Sequence, residues 1–179
     1  TGFASYGSKS CRIVVRGEGD FHKTGSGEFL FVKNDTNYNN SLTNPCLRFL
    51  NDGSLVISEG GFVLNATNIL QGARSTYSKN VNVSIDSGAW LDLGGTEFAV
   101  LGSIKTKGSG LLKNSGTEAT SLTVGASGAD SKLPRIEGAI KLVKTGAGKI
   151  SLCAEELVSF DVRAGDVEFL DRAHAGYPF

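Results

Sequence analysis

Apolar and polar residues alternate with a period of two along most of the chain, in short runs bounded by Gly, Asn, Asp or Ser. Such alternation places one row of side chains in a core and the other toward solvent. We therefore expect a nearly all-β chain of short strands. The apolar members of the clearest runs are Val81, Val83, Ile85; Ala89, Leu91, Leu93; Ile140, Leu142; Ile150, Leu152; and Val167, Phe169.

One phrase recurs among these predicted strands. Lys-Thr-Gly-x-Gly occupies residues 23–27 and again 144–148, and an alternating strand follows each copy. A looser version occupies residues 107–110. We pair the first copy with the Gly-headed strand at 53–57 and the second copy with the one at 165–169. The recurrence indicates that the strands belong to a repeated unit.

A β-solenoid accounts for the glycines, the short strands and the recurrence together. Corners between short strands need backbone angles that Gly and Asn adopt at low cost, and Gly contributes 24 of the 179 residues. Each coil then pairs with the next. An antiparallel β-sandwich would also show short alternating strands, but its Asn-Gly and Asp-Gly hairpin turns occur only once, at 52–53. We predict a β-solenoid, with the sandwich as the alternative.

Residues 81–170 carry an ordered series of Gly-rich strand phrases, at 83–96, 101–104, 108–110, 121–125, 142–148 and 162–167. This series resembles the autotransporter-associated β-strand repeat. The resemblance implies a right-handed parallel β-helix in a large secreted or surface-displayed bacterial protein, beside neighbouring modules of a longer chain. It also implies scaffold residues rather than catalytic ones. Residues 153–161 depart from the family pattern, which leaves the geometry of that corner open.

We expect residues 1–179 to form one solenoid block. Residues 17–58 read as a more degenerate copy of the repeat, and residues 81–170 as the better-matched copy. Open solenoid ends expose unpaired strands that a protein must cover. Residues 1–16 and the tail at 171–179 are therefore the candidate caps. If they do not cover the ends, the isolated chain is expected to associate end to end.

Charge and hydropathy exclude two classes of partner. Lys plus Arg and Asp plus Glu number 18 each, so no broad electrostatic footprint for nucleic acid or an anionic membrane is expected. No apolar run approaches the roughly 20 residues that a membrane-spanning helix needs. The expected ligand, suggested by Trp90, is extracellular polysaccharide or a host or cell-surface glycan.

Catalytic and metal motifs are absent from the sequence. Neither Gly-x-Gly-x-x-Gly nor Gly-x-Ser-x-Gly occurs, and neither His22 nor His174 has a cysteine at ligand spacing. We therefore expect no catalytic residues, no metal and no cofactor. The runner-up class is a fragment of a β-helix polysaccharide-cleaving enzyme, which would need clustered carboxylates beside a basic residue.

Trp90 is the most suggestive single residue for ligand binding. If Leu91 faces the core, Trp90 and Asp92 share the outer face of their strand. An indole beside a carboxylate offers a flat surface for a sugar ring and an acceptor for its hydroxyls. Tyr38 and Tyr77, in polar segments between the predicted coils, complete the predicted glycan site. The alternatives are that Trp90 covers a neighbouring loop, that it makes a protein contact, and that the chain is a spacer without a ligand.

The cysteine count leaves two readings open. The chain has three cysteines, an odd number, and no Cys-x-x-Cys pair. Cys11 and Cys46 could form one bridge and leave Cys153 free. Otherwise all three are small buried apolar residues, which is a frequent state of free cysteine.

Overall fold

The computed structural model describes residues 12–15, 19–30, 46–49, 53–64, 70–71, 81–153 and 157–171. Within these ranges the regular structure consists of short strands, and every strand pairing is parallel. The prediction of an all-β chain is confirmed.

The strands recur coil by coil: five coils contribute three described strands each, and the last two contribute two each. The first strands of successive coils are β1 (Arg12–Val15), β4 (Cys46–Phe49), β7 (Leu70–Gln71), β10 (Phe98–Leu101), β13 (Thr120–Val124), β16 (Ile140–Lys144) and β18 (Ser159–Val162). The second strands are β2 (Phe21–Lys23), β5 (Ser54–Ile57), β8 (Asn82–Ile85), β11 (Ser103–Thr106), β14 (Ser131–Lys132), β17 (Ile150–Leu152) and β19 (Val167–Phe169). The third strands are β3 (Glu28–Leu30), β6 (Gly61–Val63), β9 (Trp90–Asp92), β12 (Leu111–Lys113) and β15 (Arg135–Glu137).

Each strand pairs with the strand that holds the same place in a neighbouring coil. First strands form the sheets β1-β4-β7 and β10-β13-β16-β18, and second strands form β2-β5-β8-β11 and β14-β17-β19. Third strands form the single sheet β3-β6-β9-β12-β15. Among the described strands, consecutive ones therefore do not pair with each other, as they would in a hairpin. The fold is a parallel β-helix, and the antiparallel sandwich is excluded.

Because the coils stack in register, similar side chains lie above one another along the helix axis. In the third strands, the inward row holds only apolar side chains, and it runs through Phe29, Phe62, Leu91, Leu112 and Ile136. All of these except Phe29, which is half-buried, are almost completely buried. A single coil has too little apolar area to stabilise itself, so each coil depends on its neighbours.

The predicted core positions are confirmed except at the last coil. The inward residues of the runs at 81–85, 89–93, 140–142 and 150–152 are all buried. Val167 is only half-buried, and Phe169 is 64% exposed. Both belong to β19, which has a partner strand on one edge only within the described ranges. The alternation correctly predicts which side chains of β19 face inward. Burial of those side chains also requires a further coil stacked on β19.

The predictions about end caps and about membrane-spanning helices concern residues that the structure describes only in part. Of the candidate caps, residues 1–11, 16 and 172–179 lie outside the described residues. Where the chain is described, it forms no helix with the length and hydrophobicity that crossing a bilayer requires.

Candidate functional site

The second copy of the recurring phrase places a lysine inside the β-helix. On β16 the inward positions are Ile140, Leu142 and Lys144, and Lys144 is only 1% exposed. Its ammonium group donates to the carbonyl oxygens of Thr145 at 2.6 Å and Gly146 at 2.8 Å, in its own corner. A third hydrogen bond, of 3.0 Å, reaches the carbonyl of Ala164 in the next coil. The lysine therefore ties two coils together.

The first copy repeats this arrangement. Lys23 is the last residue of β2, and its side chain faces inward and is 7% exposed. Its ammonium group donates to the carbonyls of Thr24 at 3.0 Å, Gly25 at 2.6 Å and Glu59 at 2.9 Å. Glu59 lies in the corner of the next coil, as Ala164 does for Lys144. We call these two arrangements, centred on Lys23 and Lys144, the lysine corners.

The three carbonyls allow an ammonium group to sit away from water. Burying a charge is costly unless its hydrogen-bonding capacity is used, and three carbonyls match the three N–H donors of lysine. Burial lowers the pKa of Lys144, while the carboxylates of Asp166 and Asp130 oppose that shift. The same hydrogen bonds satisfy carbonyl groups of two tight corners that strand pairing leaves without donors.

The structure corrects the predicted pairing of Gly-headed strands. Sequence reasoning matched the strand at 53–57 with the one at 165–169. In the structure, the counterpart of Gly165 is Gly60, because each lies in the next-coil corner that covers a lysine corner. Gly53 precedes β5 and lies against the Phe49 ring instead. Gly53 and Gly165 both precede second strands, β5 and β19, but of the two only Gly165 covers a lysine corner.

The looser copy of the phrase does not form a lysine corner. The side chain of Lys107 is 78% exposed and approaches the Asp86 carboxylate at 3.4 Å. Strand β11 ends one residue earlier, with Thr106 in register with Ile85. Thr106 therefore occupies the inward position that Lys23 has in its own coil. Lys107 is one residue later and points to solvent.

A different corner, after the third strands, is held by Asp92 and Asn114. Asp92 is only 3% exposed, and its Oδ1 accepts from the backbone N–H groups of Gly94 at 2.8 Å and Ser115 at 3.0 Å. Asn114 Oδ1 accepts from Gly95 at 3.0 Å. Each side chain therefore bonds backbone in the neighbouring coil. The carboxylate predicted to receive sugar hydroxyls is used to join coils.

Replacing Asn114 is expected to destabilise the helix clearly. Its Nδ2 also donates to the carbonyls of Glu118 and Ala139, both at 2.8 Å. Asn114→Ala would take the side-chain partner from the Glu118 carbonyl and the Gly95 N–H and leave the Ala139 carbonyl with the Thr120 N–H alone, at a cost of about 2 kcal/mol in the free energy of unfolding. Asn82→Ala is the matched control, because the partners of the Asn82 side chain among the described residues are two serine hydroxyls, those of Ser103 and Ser127. Urea unfolding of both variants measures the difference, and equal losses would contradict the assigned role.

Trp90 lies on the outer face of the third-strand sheet, packed over Gly61. The two residues are in register, and a Cβ atom at Gly61 would overlap the indole. On the next coil, Lys113 places its ammonium nitrogen 5.2 Å from the centre of the Trp90 ring. That nitrogen also lies 3.5 Å from Asp92 Oδ2 and 3.7 Å from Glu28 Oε1. The indole is half-buried between backbone and a cation.

The structure thus brings together two of the four residues of the predicted glycan site. Trp90 and Asp92 are two residues apart on one strand, but Asp92 is buried and Lys113 lies over part of the indole. Tyr38 and Tyr77 lie outside the described residues. Glycan binding stays a prediction. Sequence reasoning did not find Lys113, because its approach to Trp90 follows from the pairing of β9 with β12.

A pH-sensitive contact joins the last two coils. Glu168 Oε2 accepts a hydrogen bond of 2.6 Å from Ser151 and lies 3.0 Å from the Lys149 ammonium group. The Ser151 hydrogen bond and then Lys149 hold the pKa of Glu168 below its ordinary value of 4.5. Since the folded pKa is the lower one, the stabilisation is complete above 4.5 and is lost as the pH falls through the folded pKa.

We therefore expect Ser151→Ala to raise the pKa of Glu168. An NMR titration of the Glu168 carboxyl carbon measures this shift. Ser159→Ala, an exposed serine on β18, is the control and is expected to leave the titration unchanged. A Glu168 curve that does not move in Ser151→Ala would contradict the assigned hydrogen bond.

Other chemistry-bearing groups are dispersed. Among the described residues, no three His, Cys, Asp or Glu side chains gather in a way that could hold a metal ion. Cys153 is free and 6% exposed, so its predicted burial is confirmed. Cys11 lies outside the described residues, so the predicted bridge to Cys46 stays a prediction.

Comparisons of the chain with protein-family models, with curated proteins and with solved structures find no match. The resemblance to the autotransporter-associated repeat therefore rests on the sequence phrases alone.

Proposed function

We propose that this chain is a non-catalytic extracellular β-helix module, which acts as a display scaffold in a large secreted or surface bacterial protein. The observation that carries the proposal is the cross-coil use of buried polar groups. Lys23, Lys144, Asp92 and Asn114 all bond backbone of a neighbouring coil. Each of these groups stiffens the stack, which is what a spacer or display rod requires.

A scaffold built from equivalent coils is expected to tolerate removal of one of them. Because Asp92 and Lys113 are in register, deleting residues 93–113 joins Asp92 directly to Asn114 and preserves every later register. We expect a folded rod that is shorter by about 4.8 Å, the spacing between paired strands. Small-angle scattering and circular dichroism measure length and strand content.

The matched control removes residues 93–114, one residue more. This deletion also removes Asn114 and leaves the corner before β13 one residue short, so it is expected to destabilise the chain clearly more than the deletion of 93–113. Equal damage from both deletions would contradict the modular scaffold. Turnover of an acidic polysaccharide by the wild-type chain would contradict the non-catalytic assignment and favour a polysaccharide-cleaving enzyme.

Glycan binding at Trp90 is the second candidate function. What favours it is a partly exposed indole with the Lys113 ammonium group over its ring and the Glu28 carboxylate 3.7 Å from that ammonium group, since such groups suit the hydroxyls of a sugar. On a glycan array, we expect Trp90→Ala to abolish the signals of the wild-type chain. His22→Ala, an exposed residue on a second strand, is the control and is expected to retain them. An array with no wild-type signal would refute the glycan site and leave the scaffold in place.

A further inference from the structure

Four side chains from three coils meet on the outer face of the third-strand sheet. They are Glu28 on β3, Trp90 and Asp92 on β9, and Lys113 on β12. The Lys113 ammonium nitrogen lies 5.2 Å from the centre of the Trp90 ring, 3.5 Å from Asp92 Oδ2 and 3.7 Å from Glu28 Oε1. An aromatic ring and carboxylates around one ammonium group are also the groups with which proteins bind ligand cations. We call Trp90, Glu28 and Asp92 the ammonium site.

Lys113 fills the ammonium site loosely. Its distances to the two carboxylates are longer than the roughly 2.7–2.9 Å of a charge-assisted hydrogen bond. The ammonium group of Lys144, by contrast, lies within 2.6–3.0 Å of its three carbonyl acceptors. The Lys113 side chain is 26% exposed, and a partly exposed ion pair on a flexible stem contributes little stability. Lys113 can therefore leave the site at low cost.

The rest of the ammonium site is held in place by other contacts. Asp92 Oδ1 accepts from the backbone N–H groups of Gly94 and Ser115, which leaves Oδ2 for the ammonium group. The indole packs over the backbone of Gly61. When Lys113 moves away, a fixed aromatic ring and two carboxylates remain, and this arrangement favours another cation.

We propose that the ammonium site binds a protonated amino sugar of an extracellular glycan, and that Lys113 occupies the site when no ligand is bound. This proposal rests on the glycan candidate at Trp90 and names its substrate class. The apolar face of the sugar ring stacks on the indole, and the sugar ammonium group takes the place of Lys113 Nζ between the carboxylates. Leu111 is half-buried and in register with Trp90, so it extends the apolar surface. A peptide lysine would supply the cation but no ring for this surface.

Fluorescence titration with a fully deacetylated glucosamine tetramer tests the proposal, because Trp90 is the only tryptophan of the chain. At about pH 6 the carboxylates are ionised and sugar amines are protonated. We expect a saturable change in the wild-type emission. Lys113→Gln removes the internal competitor and is expected to tighten binding about tenfold, as for a site that the lysine occupies about nine-tenths of the time. Adding Glu28→Gln to Lys113→Gln is expected to weaken binding about fivefold.

Glu97→Gln, added to Lys113→Gln in place of Glu28→Gln, is the matched control. Glu97 is exposed and precedes β10, and its replacement removes the same charge. We expect this variant to bind as Lys113→Gln does. If circular dichroism shows that Lys113→Gln loses strand content, Lys113→Met replaces it.

The N-acetylated tetramer has no ammonium groups and is expected to bind clearly more weakly than the deacetylated one. Equal binding of the two tetramers would overturn the amino-sugar assignment and leave a neutral glycan site at Trp90. If neither tetramer bound the wild type or Lys113→Gln, by emission or by calorimetry, the glycan candidate would be wrong as well. Tighter binding of a lysine-rich peptide than of the glucosamine tetramer would indicate a protein partner and overturn the proposal.

Discussion

Replacing Lys144 by methionine is expected to lower the free energy of unfolding by about 3 kcal/mol. Methionine retains most of the buried chain but donates no hydrogen bond, so the carbonyls of Thr145, Gly146 and Ala164 lose their shared donor. An unsatisfied buried carbonyl costs about 1–3 kcal/mol, and water is expected to reach some of these groups because the corner is only partly buried. For a chain of this length, the loss corresponds to a fall in Tm of about 6–12 °C.

The chain supplies a close control in Lys141, which lies on the same strand but faces solvent. Lys141→Met removes the same charge from β16 and is expected to change the free energy of unfolding by less than about 0.5 kcal/mol. Thermal and urea unfolding of both variants measure the difference. If the two variants lost the same stability, the effect would come from net charge, and the lysine corner would have no structural role.

Replacing Gly165 by alanine is expected to have the second large effect. Gly165 has φ of +79°, and a Cβ atom would lie 2.5 Å from the Gly146 carbonyl oxygen and 2.6 Å from Lys144 Nζ. The left-handed conformation alone costs about 1–2 kcal/mol for a residue with a Cβ. The overlap adds to this cost, because it pushes apart the two corners that the lysine joins. We expect a total loss of about 3 kcal/mol or more.

Gly88 separates the two contributions. Its φ is +77°, almost the same as that of Gly165, but a Cβ atom there would meet nothing within 4 Å. Gly88→Ala therefore measures the conformational cost alone, about 1–2 kcal/mol. Unfolding curves that show the same loss for Gly88→Ala and Gly165→Ala would mean that the close approach of coils at Gly165 contributes nothing.

The parts of the fold that follow from local pattern could be predicted from the sequence. Alternation identifies the inward residues of β8 and β16, and the frequency of Gly indicates corners rather than hairpins. The inward position of Lys144 could also be predicted, since Lys144 continues the row of Ile140 and Leu142. Its hydrogen-bond partners could not be predicted, because the carbonyl of Ala164 becomes adjacent only when the next coil is stacked in register.

The candidate site, too, could be predicted from local pattern only in part. An outward Trp90 follows from the alternation around Leu91. Its contact with Lys113 and the burial of Asp92 depend on which residues of the next coil lie beside them, and the spacing between coils is irregular. The exposure of Phe169 likewise depends on what lies above it rather than on its own strand.

Parallel stacking of coils can be tested most directly by NMR contacts around Leu122. In the structure, Leu122 on β13 lies between Ala99 on β10 and Leu142 on β16, in register with both. The account predicts methyl–methyl NOEs from Leu122 to both residues, and no strong Hα–Hα NOEs between these strands. Strong Hα–Hα NOEs, which arise where antiparallel strands bring Cα atoms to about 4.5 Å, would contradict it.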